Sequence, residues 1–197
     1  MKKAVIFSGG KFDVLGAPDI SNCCAVCADG GYKHCEKIGI TPDIVIGDMD
    51  SAGAVPKGIK ILKAKTDKDQ TDTQLCIDYL AENGFDSADM YCAFGGRHDH
   101  SFANYMMLPY AAKKGINLKI KSGREILFAV KSGAEIYGKK GDMLSLFPAG
   151  GNCTGITTEF LEYPLKNETL YYDTPRGISN VFKNTAVKVY YKTGILL

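Results

Sequence analysis

The sequence predicts an α/β N-terminal domain with a largely parallel sheet over residues 1–122, followed by an all-β sandwich domain over residues 123–197. In the first part, short apolar runs alternate with helical patterns, which is typical of parallel strands joined by crossover helices. Several of these runs are apolar throughout, as expected for strands buried on both faces of a sheet. In the second part, strand-like runs follow one another at short intervals, separated by glycine turns, which is typical of antiparallel β structure.

The first part contains two clear helical patterns among its predicted strands. One helix begins at Thr71-Asp72-Thr73-Gln74, a capping box, and ends near Asn83-Gly84. Another covers about residues 98–114, with Pro109 as an expected kink. The predicted strands are 4–7, 23–28, 43–46, 59–64, 88–94 and 117–120 in the first part, and 125–130, 134–137, 143–147, 154–160, 170–172, 178–182 and 186–191 in the second.

Charge and hydropathy exclude several classes of protein. The chain has 24 Lys and Arg against 22 Asp and Glu, so its net charge of +2 gives no electrostatic reason to expect a nucleic acid or an anionic membrane as the main partner. No apolar run approaches the roughly 18 residues of a membrane span. The N-terminal apolar run, residues 4–7, is also shorter than the core of a signal peptide. We therefore expect a cytoplasmic protein.

The seven cysteines include one spacing that also occurs in zinc and redox sites, namely Cys24-x-x-Cys27 with Cys35 beyond. However, residues 23–28 read as a strand, in which Cys24 and Cys27 would point to opposite faces. The sequence therefore favours buried, reduced thiols.

A pair of carboxylates follows the third predicted strand, in Gly47-Asp48-Met49-Asp50-Ser51. In an extended chain Asp48 and Asp50 would share one face, and their mutual repulsion would be relieved by a cation such as Mg²⁺. The strand's carboxyl end is also where open α/β sheets bind ligands. The same residues equally fit a polar loop whose aspartates form Asx turns and cap a helix.

Two further clusters lie after later strands, where they should meet the same edge of the sheet. The first cluster is the segment 66–72. Its Asp72 is explained structurally, because a carboxylate in the first turn of a helix is stabilised by the helix dipole, whereas Asp67 and Asp69 lie outside that helix. In the second, Gly95-Gly96-Arg97-His98-Asp99-His100, the glycines allow close approach of the backbone and Arg97 offers a planar fork for phosphate. Asp99 would orient a hydroxyl or accept its proton. The two histidines fit a solvated helix start better than a metal site.

Glycine turns also follow the first two strands, at residues 8–11 and 28–31. Neither matches a P-loop or the dinucleotide fingerprint. Glycines, carboxylates and one arginine at a single sheet edge nevertheless predict a site for Mg²⁺ and nucleotide phosphates.

These motifs, in this order, resemble the thiamine pyrophosphokinase (thiamine diphosphokinase) family over nearly the whole chain. The matching segments are Ala28-Asp29-Gly30-Gly31, Pro42-Asp43, Gly47-Asp48-Met49-Asp50-Ser51, Asp67-Lys68-Asp69-Gln70-Thr71-Asp72, Gly95-Gly96-Arg97-His98-Asp99-His100 with Asn104, and Ile178-Ser179-Asn180. The resemblance implies transfer of pyrophosphate from ATP to thiamine, giving thiamine diphosphate and AMP. It also implies an α/β domain, a β-sandwich and a homodimer whose active site lies at the subunit interface.

The resemblance also implies a role for each matching residue. Asp48, Asp50 and Asp72 would bind Mg²⁺ together with the ATP phosphates, and the nucleotide would be held by Asp29, Gly30, Gly31, Arg97 and His100. Asp99 would hold or deprotonate the substrate hydroxyl, and Ser179 with Asn180 would contact the thiamine pyrimidine across the dimer. The chain has no Trp. The indole that some members stack on thiamine is therefore absent, and a Tyr or Phe is the candidate to replace it.

Two alternative functions fit the same residues. One is pyrophosphoryl transfer to another heterocyclic alcohol, such as a hydroxymethylpterin, at the same phosphate site. The other is a non-catalytic sensor of a nucleotide or vitamin, although a sensor has no need of three carboxylates around one metal ion.

Overall fold

The computed structural model describes residues 2–15, 18–65 and 69–197. Its contacts divide the chain into two compact units, with the division between Phe128 and Ala129. The first is an α/β unit with a largely parallel sheet and the second consists of antiparallel β structure, so the predicted fold class is confirmed.

Within the described residues, the first unit is built on a seven-stranded sheet. Its strands are β1 (Lys3–Phe7), β2 (Cys23–Ala28), β3 (Ile44–Gly47), β4 (Lys60–Lys63), β5 (Ser87–Tyr91), β6 (Asn117–Ser122) and β7 (Glu125–Phe128). They lie in the order β4-β3-β2-β1-β5-β6-β7. All neighbours pair in parallel except β6 and β7. The chain therefore adds strands on one side of β1, then crosses back to add β5 on the other.

The helices of this unit are α1 (Tyr32–Lys37), α2 (Asp72–Glu82) and α3 (His98–Lys113). The expected capping box starts α2, because the Thr71 hydroxyl accepts a hydrogen bond from the backbone N–H of Gln74. Helix α3 continues through Pro109 to Lys113. Helix α1 packs on a buried cluster that includes Val5, Phe7, Cys27, Val45 and its own Tyr32 and Cys35. Helix α2 contacts β2 and β3, and α3 contacts β6.

The predicted domain boundary after residue 122 lies within a hairpin of the first sheet. Strand β7 pairs antiparallel with β6, from Ser122 opposite Glu125 to Lys119 opposite Phe128. The two-residue turn between them contains Gly123, whose φ of 55° suits a tight hairpin. The apolar run that starts at Glu125 is assigned to the sandwich by the change to short strand-like runs after Ser122, but pairing with β6 places it in the first unit.

The second unit, all of which is described, contains two antiparallel sheets. Its strands are β8 (Ala134–Tyr137), β9 (Met143–Leu144), β10 (Cys153–Glu159), β11 (Glu168–Leu170), β12 (Asn180–Val181) and β13 (Ala186–Tyr190). A four-stranded sheet has the order β11-β10-β13-β8, and β12 pairs with β9. Its buried side chains include Ile156, Leu170, Val187, Val189 and Leu196. No helix in the described part of the chain is long and apolar enough to cross a membrane.

The loops that follow β1 and β5 are bonded to each other. The backbone N–H of Gly10 donates to the carbonyl of Cys92 at 2.8 Å, and that of Lys11 donates to the carbonyl of Phe94 at 2.7 Å. A Cβ placed on Gly10 would lie 2.5 Å from the Cys92 oxygen and 2.6 Å from the Phe94 oxygen. This contact therefore requires glycine at position 10.

We expect Gly10→Ala to lower the free energy of unfolding by about 1–3 kcal/mol, because the added methyl group must push two backbone segments apart. Urea denaturation followed by circular dichroism measures the change. Gly9→Ala is the matched control, since nothing lies within 4 Å of a Cβ at that position. Its effect should stay within about 0.5 kcal/mol. Equal losses for the two variants would contradict this account of the loop contact.

Candidate active site

The topology places one crevice at the carboxyl edge of the first sheet. Strands β1 and β5 are neighbours, but the chain leaves β1 toward β2 and leaves β5 toward β6. Open α/β sheets bind ligands at such a switch point. The glycine turns and acidic loops identified in the sequence follow β1, β2, β3 and β5, so they meet at this edge.

The loop after β3 brings Asp48 and Asp50 together by bending, and not by the extended conformation expected from the sequence. Met49 between them has a φ of 70°, in the left-handed region. The backbone N–H of Asp50 donates to Oδ1 of Asp48 at 3.3 Å, and the Ser51 hydroxyl donates to Oδ1 of Asp50 at 2.7 Å. An Asx-type turn and a pair of clustered carboxylates therefore coexist in one loop.

Asp29 fixes this loop from the neighbouring strand. It follows β2 directly and is buried. Its two carboxylate oxygens accept backbone N–H groups of Ser51 and Ala52, each at 3.0 Å. Burial, a hydrogen bond with Asp50 and the nearby charge of Asp72 raise the pKa of Asp29, and the two backbone N–H donors partly offset these effects. Asp29 therefore holds the loop through two hydrogen bonds and also interacts electrostatically with Asp50 and Asp72.

The carboxylates form a cluster whose chemistry suits a divalent cation. Ligand oxygens of Asp29, Asp48 and Asp50 lie within 4.8 Å of one another. Asp72 reaches the same corner: a Cβ on Gly47 would lie 2.7 Å from the Asp29 Cβ and 3.1 Å from Oδ1 of Asp72. Clustered carboxylate oxygens are the ligands that Mg²⁺ prefers, so these residues fit the expected ion.

Asp29 as a member of this carboxylate cluster is the feature that sequence reasoning missed. The signal was present, because Asp29 and Asp48 each follow a strand, and those strands are consecutive in the chain and so expected to be neighbours. The expected acidic segment before α2 is described only in part: Asp69 is exposed, and Asp67 lies outside the described residues.

The turn after β2 depends on close packing at Gly31. A Cβ on Gly31 would lie 2.0 Å from the carbonyl oxygen of Phe7, and one on Gly30 would lie 3.3 Å from the Cβ of Ser51. The two glycines therefore let the start of α1 pass closely beside β1 and the acidic loop.

The loop between β5 and α3 presents an arginine and an aspartate that are bonded to each other. Gly95 and Gly96 adopt φ values of +82° and +76°, and Arg97 occupies the N-cap position of α3. Nε and Nη2 of Arg97 donate to the two oxygens of Asp99, at 3.1 and 2.5 Å. Both side chains are exposed, and the exposed His100 donates its backbone N–H to Asp99.

The pairing with Arg97 changes the acid–base character of Asp99. The guanidinium group, together with the backbone N–H of His100, lowers the pKa of Asp99 to about 2. The carboxylate is then ionised at neutral pH but only weakly basic. In this arrangement it is suited to holding a hydroxyl or a cation, and poorly suited to removing a proton.

Ser179 and Asn180 lie in the second unit at the start of β12. The Asn180 side chain is buried and brackets Tyr163: its Nδ2 donates to the Tyr163 carbonyl at 2.7 Å, and its Oδ1 accepts the Tyr163 N–H at 3.0 Å. Ser179 has a φ of 56°, and its N–H donates to the Ser145 hydroxyl. The Tyr163 side chain itself is 68% exposed.

The close cysteine contact in the structure joins Cys27 to Cys35, and not the Cys24-x-x-Cys27 residues that the spacing singled out. Sγ of Cys27 lies 3.2 Å from Sγ of Cys35, and both side chains are buried in the cluster beneath α1. The hydrogen bond to Cys35 and burial raise the pKa of Cys27. Buried, protonated thiols of this kind behave as small apolar side chains.

Comparison with known proteins finds relatives over nearly the whole chain. The family model described as the thiamin pyrophosphokinase catalytic domain matches residues 20–120, and the thiamin pyrophosphokinase vitamin B1 binding domain matches residues 130–196. The chain is 24% identical to a thiamine pyrophosphokinase of Bacillus subtilis, covering 100% of this chain and 97% of the relative. It is 25% identical to thiamine pyrophosphokinase 3 of Oryza sativa subsp. japonica, covering 83% of this chain and 73% of the relative.

Solved structures share the fold. The crystal structure of thiamine pyrophosphokinase from Bacillus subtilis superposes with a TM-score of 0.85 at 24% identity, covering 99% of this chain and 96% of that one. The yeast thiamin pyrophosphokinase gives 0.76 at 16% identity, covering 99% and 84%. Since the two family models together match most of its length, the chain belongs to the thiamine pyrophosphokinase family.

Proposed function

We propose that this chain transfers the pyrophosphoryl group of ATP to the hydroxyethyl oxygen of thiamine. The hydroxyl oxygen attacks the β-phosphorus, the bond from that phosphorus to the α–β bridging oxygen breaks, and AMP leaves with the bridging oxygen. The proton of the hydroxyl group is released. The observation that carries this proposal is the cluster of Asp29, Asp48, Asp50 and Asp72 at a sheet edge of a chain that belongs to this family.

We assign the metal to the acidic corner, that is, the carboxylates of Asp29, Asp48, Asp50 and Asp72 at the edge of the first sheet. Asp48, Asp50 and Asp72 would hold Mg²⁺, as the family resemblance implies, with Asp29 as a further neighbour of the ion. The bound ion would neutralise charge on the ATP phosphates, which is the main requirement of phosphoryl-type transfer. The protein's own contribution is to hold the carboxylates at this edge before the nucleotide arrives.

The glycine turns and Arg97 are proposed to hold the nucleotide. Gly30 and Gly31 keep the backbone after β2 free of side chains beside the acidic loop. Arg97 would exchange Asp99 for a phosphate of ATP, which its planar fork matches equally well. His100 is exposed in the first turn of α3, close in sequence to Arg97, and would contact the same nucleotide.

Thiamine is proposed to contact Asp99 and, across the dimer, Ser179 and Asn180. Asn180 would act largely through Tyr163, since its amide group already bonds both backbone polar groups of that residue. This bracing presents an exposed phenol ring on a fixed backbone. Tyr163 is therefore the aromatic residue that we propose in place of the missing indole, because stacking on a cationic thiazolium favours an aromatic face.

We propose that the active form is a homodimer with its active site at the subunit interface, as the resemblance implies. The second unit exposes several large aromatic and apolar side chains, which are enriched at interfaces. They include Tyr137, Met143, Tyr163, Tyr171 and Tyr172. An active monomer in sedimentation experiments would contradict this assembly.

The cytoplasmic location stays a prediction.

Incubation with ATP, Mg²⁺ and thiamine should yield thiamine diphosphate and AMP in equal amounts, because one bond forms for each bond broken. Chromatography of both products measures this directly. Asp50→Asn serves as the inactive control. Binding of both ligands without AMP release would indicate a sensor, and faster turnover of a hydroxymethylpterin would indicate the other alcohol as the substrate.

The Arg97–Asp99 pair generates a kinetic prediction. Arg97→Lys keeps the charge but loses the fork, so it should lower kcat/KM about tenfold or more, mainly through the KM for ATP. Asp99→Asn should act mainly on thiamine. Because the two side chains are bonded to each other before substrates bind, the double variant should show non-additive losses.

Steady-state kinetics with both substrates, accompanied by melting curves, measure these effects. Arg176→Lys is the matched control, since Arg176 also pairs with a partly exposed carboxylate, that of Glu168. It should leave the KM for ATP unchanged. If Asp99→Asn lowered only the melting temperature and left the kinetics intact, its role would be limited to stabilising the start of α3.

A further inference from the structure

A chain of buried polar side chains lies beneath the acidic corner and the glycine loops. Ser8, Thr73 and Asn104 are each more than nine-tenths buried. The Ser8 and Thr73 hydroxyl oxygens lie 3.0 Å apart. Nδ2 of Asn104 donates to the Ser8 hydroxyl at 3.4 Å and to the carbonyl of Ala93 at 2.6 Å.

The directions of these hydrogen bonds are largely fixed by chemistry. The Ala93 carbonyl can only accept, so the amide nitrogen of Asn104 must face it. With its second proton, the same nitrogen donates to Ser8, which leaves the Ser8 hydroxyl proton available for Thr73. The three side chains therefore satisfy one another in a place where unpaired polar groups would be costly.

Each member belongs to a different segment of the candidate site. Ser8 directly follows β1 and precedes the glycines of the first loop, and Ala93 precedes Gly95 and Gly96. Thr73 follows Asp72 in the first turn of α2, and Asn104 lies one turn beyond His100 in α3. One continuous set of hydrogen bonds thus ties together the four segments that carry the proposed phosphate and metal groups.

A purely structural role does not explain why this network lies where it does. Helices α2 and α3 are also joined by Tyr110, whose hydroxyl donates to Oδ1 of Asp78 at 2.6 Å and accepts from Nε2 of Gln74 at 3.4 Å. These bonds hold the helices without touching any loop of the site. The buried network adds a connection from the helix starts to the loops after β1 and β5.

We propose that Ser8, Thr73 and Asn104 are positioning residues that set the spacing between Asp72 and the Gly9–Lys11 and Gly95–Arg97 loops. They touch neither substrate; they align the groups that do. This inference rests on the proposed pyrophosphoryl transfer, in which small displacements of metal-binding and phosphate-binding groups are costly. A misplacement of about 1 Å can reduce the rate on the order of 100-fold.

Three variants and one control test the proposal. Ser8→Ala and Thr73→Val each remove one hydroxyl with little change in volume, and Thr73→Ser keeps the hydroxyl. Tyr110→Phe is the matched control, since it removes a hydroxyl that joins the same two helices without bonding any loop of the site. We expect Ser8→Ala and Thr73→Val to lower kcat about tenfold or more with little change in the KM for thiamine. Thr73→Ser should restore kcat, and Tyr110→Phe should lower only the melting temperature.

A double variant separates a network from independent contacts. Ser8→Ala with Thr73→Val should reduce kcat about as much as the worse single variant, because either change already breaks the chain of bonds. Multiplicative losses in the double variant would overturn the proposal, as would a kcat for Thr73→Val equal to that of the control.

Hydrogen–deuterium exchange tests the same network without any substrate. The amides of Gly10 and Lys11 bond to the loop after β5. We expect about tenfold faster exchange of these amides in Ser8→Ala, and no change in Tyr110→Phe. Unchanged exchange in Ser8→Ala would overturn the proposal. If the unmodified chain made no thiamine diphosphate, the proposed function would fail while this measurement still decided whether the network positions the loops.

Discussion

The site depends on placing four carboxylates of like charge at one edge of a parallel sheet. Asp29, Asp48, Asp50 and Asp72 converge there from the ends of β2 and β3 and the start of α2. Such a cluster repels itself unless protons, hydrogen-bond donors or a cation compensate. The protein supplies part of this compensation through the backbone N–H groups that bond Asp29, while burial, the hydrogen bond with Asp50 and the charge of Asp72 still raise the pKa of Asp29. A divalent cation would supply the rest.

The remaining features of the first unit serve to hold this edge in shape. Residue Gly31 allows the turn after β2 to pass against β1, and Gly10 allows the loops after β1 and β5 to bond through their backbones. Beneath them the buried polar side chains connect the same loops to the starts of both long helices. The acidic groups are thus carried on short loops whose geometry is fixed by close backbone contact.

Local patterns in the sequence were sufficient for much of this architecture. Helix α2 was predictable because its cap and its end are both encoded by neighbouring residues, Thr71 and Asn83. The place of β7 was not, since its pairing depends on a hairpin with β6 and not on its own pattern. In the same way, the grouping of Asp29 with Asp48 requires knowing which strands are adjacent, and the bond between Arg97 and Asp99 requires side-chain geometry.

Binding of Mn²⁺ to the isolated chain, counted by electron paramagnetic resonance, tests the central claim most directly, because Mn²⁺ accepts the same oxygen ligands as Mg²⁺. The account predicts that Asp48→Asn and Asp50→Asn weaken binding about tenfold or more. The control Asp19→Asn, an exposed carboxylate whose Oδ1 accepts the Ser21 N–H, should bind as the unmodified chain does. Equal Mn²⁺ affinity in Asp50→Asn and the unmodified chain would contradict a metal site at this edge.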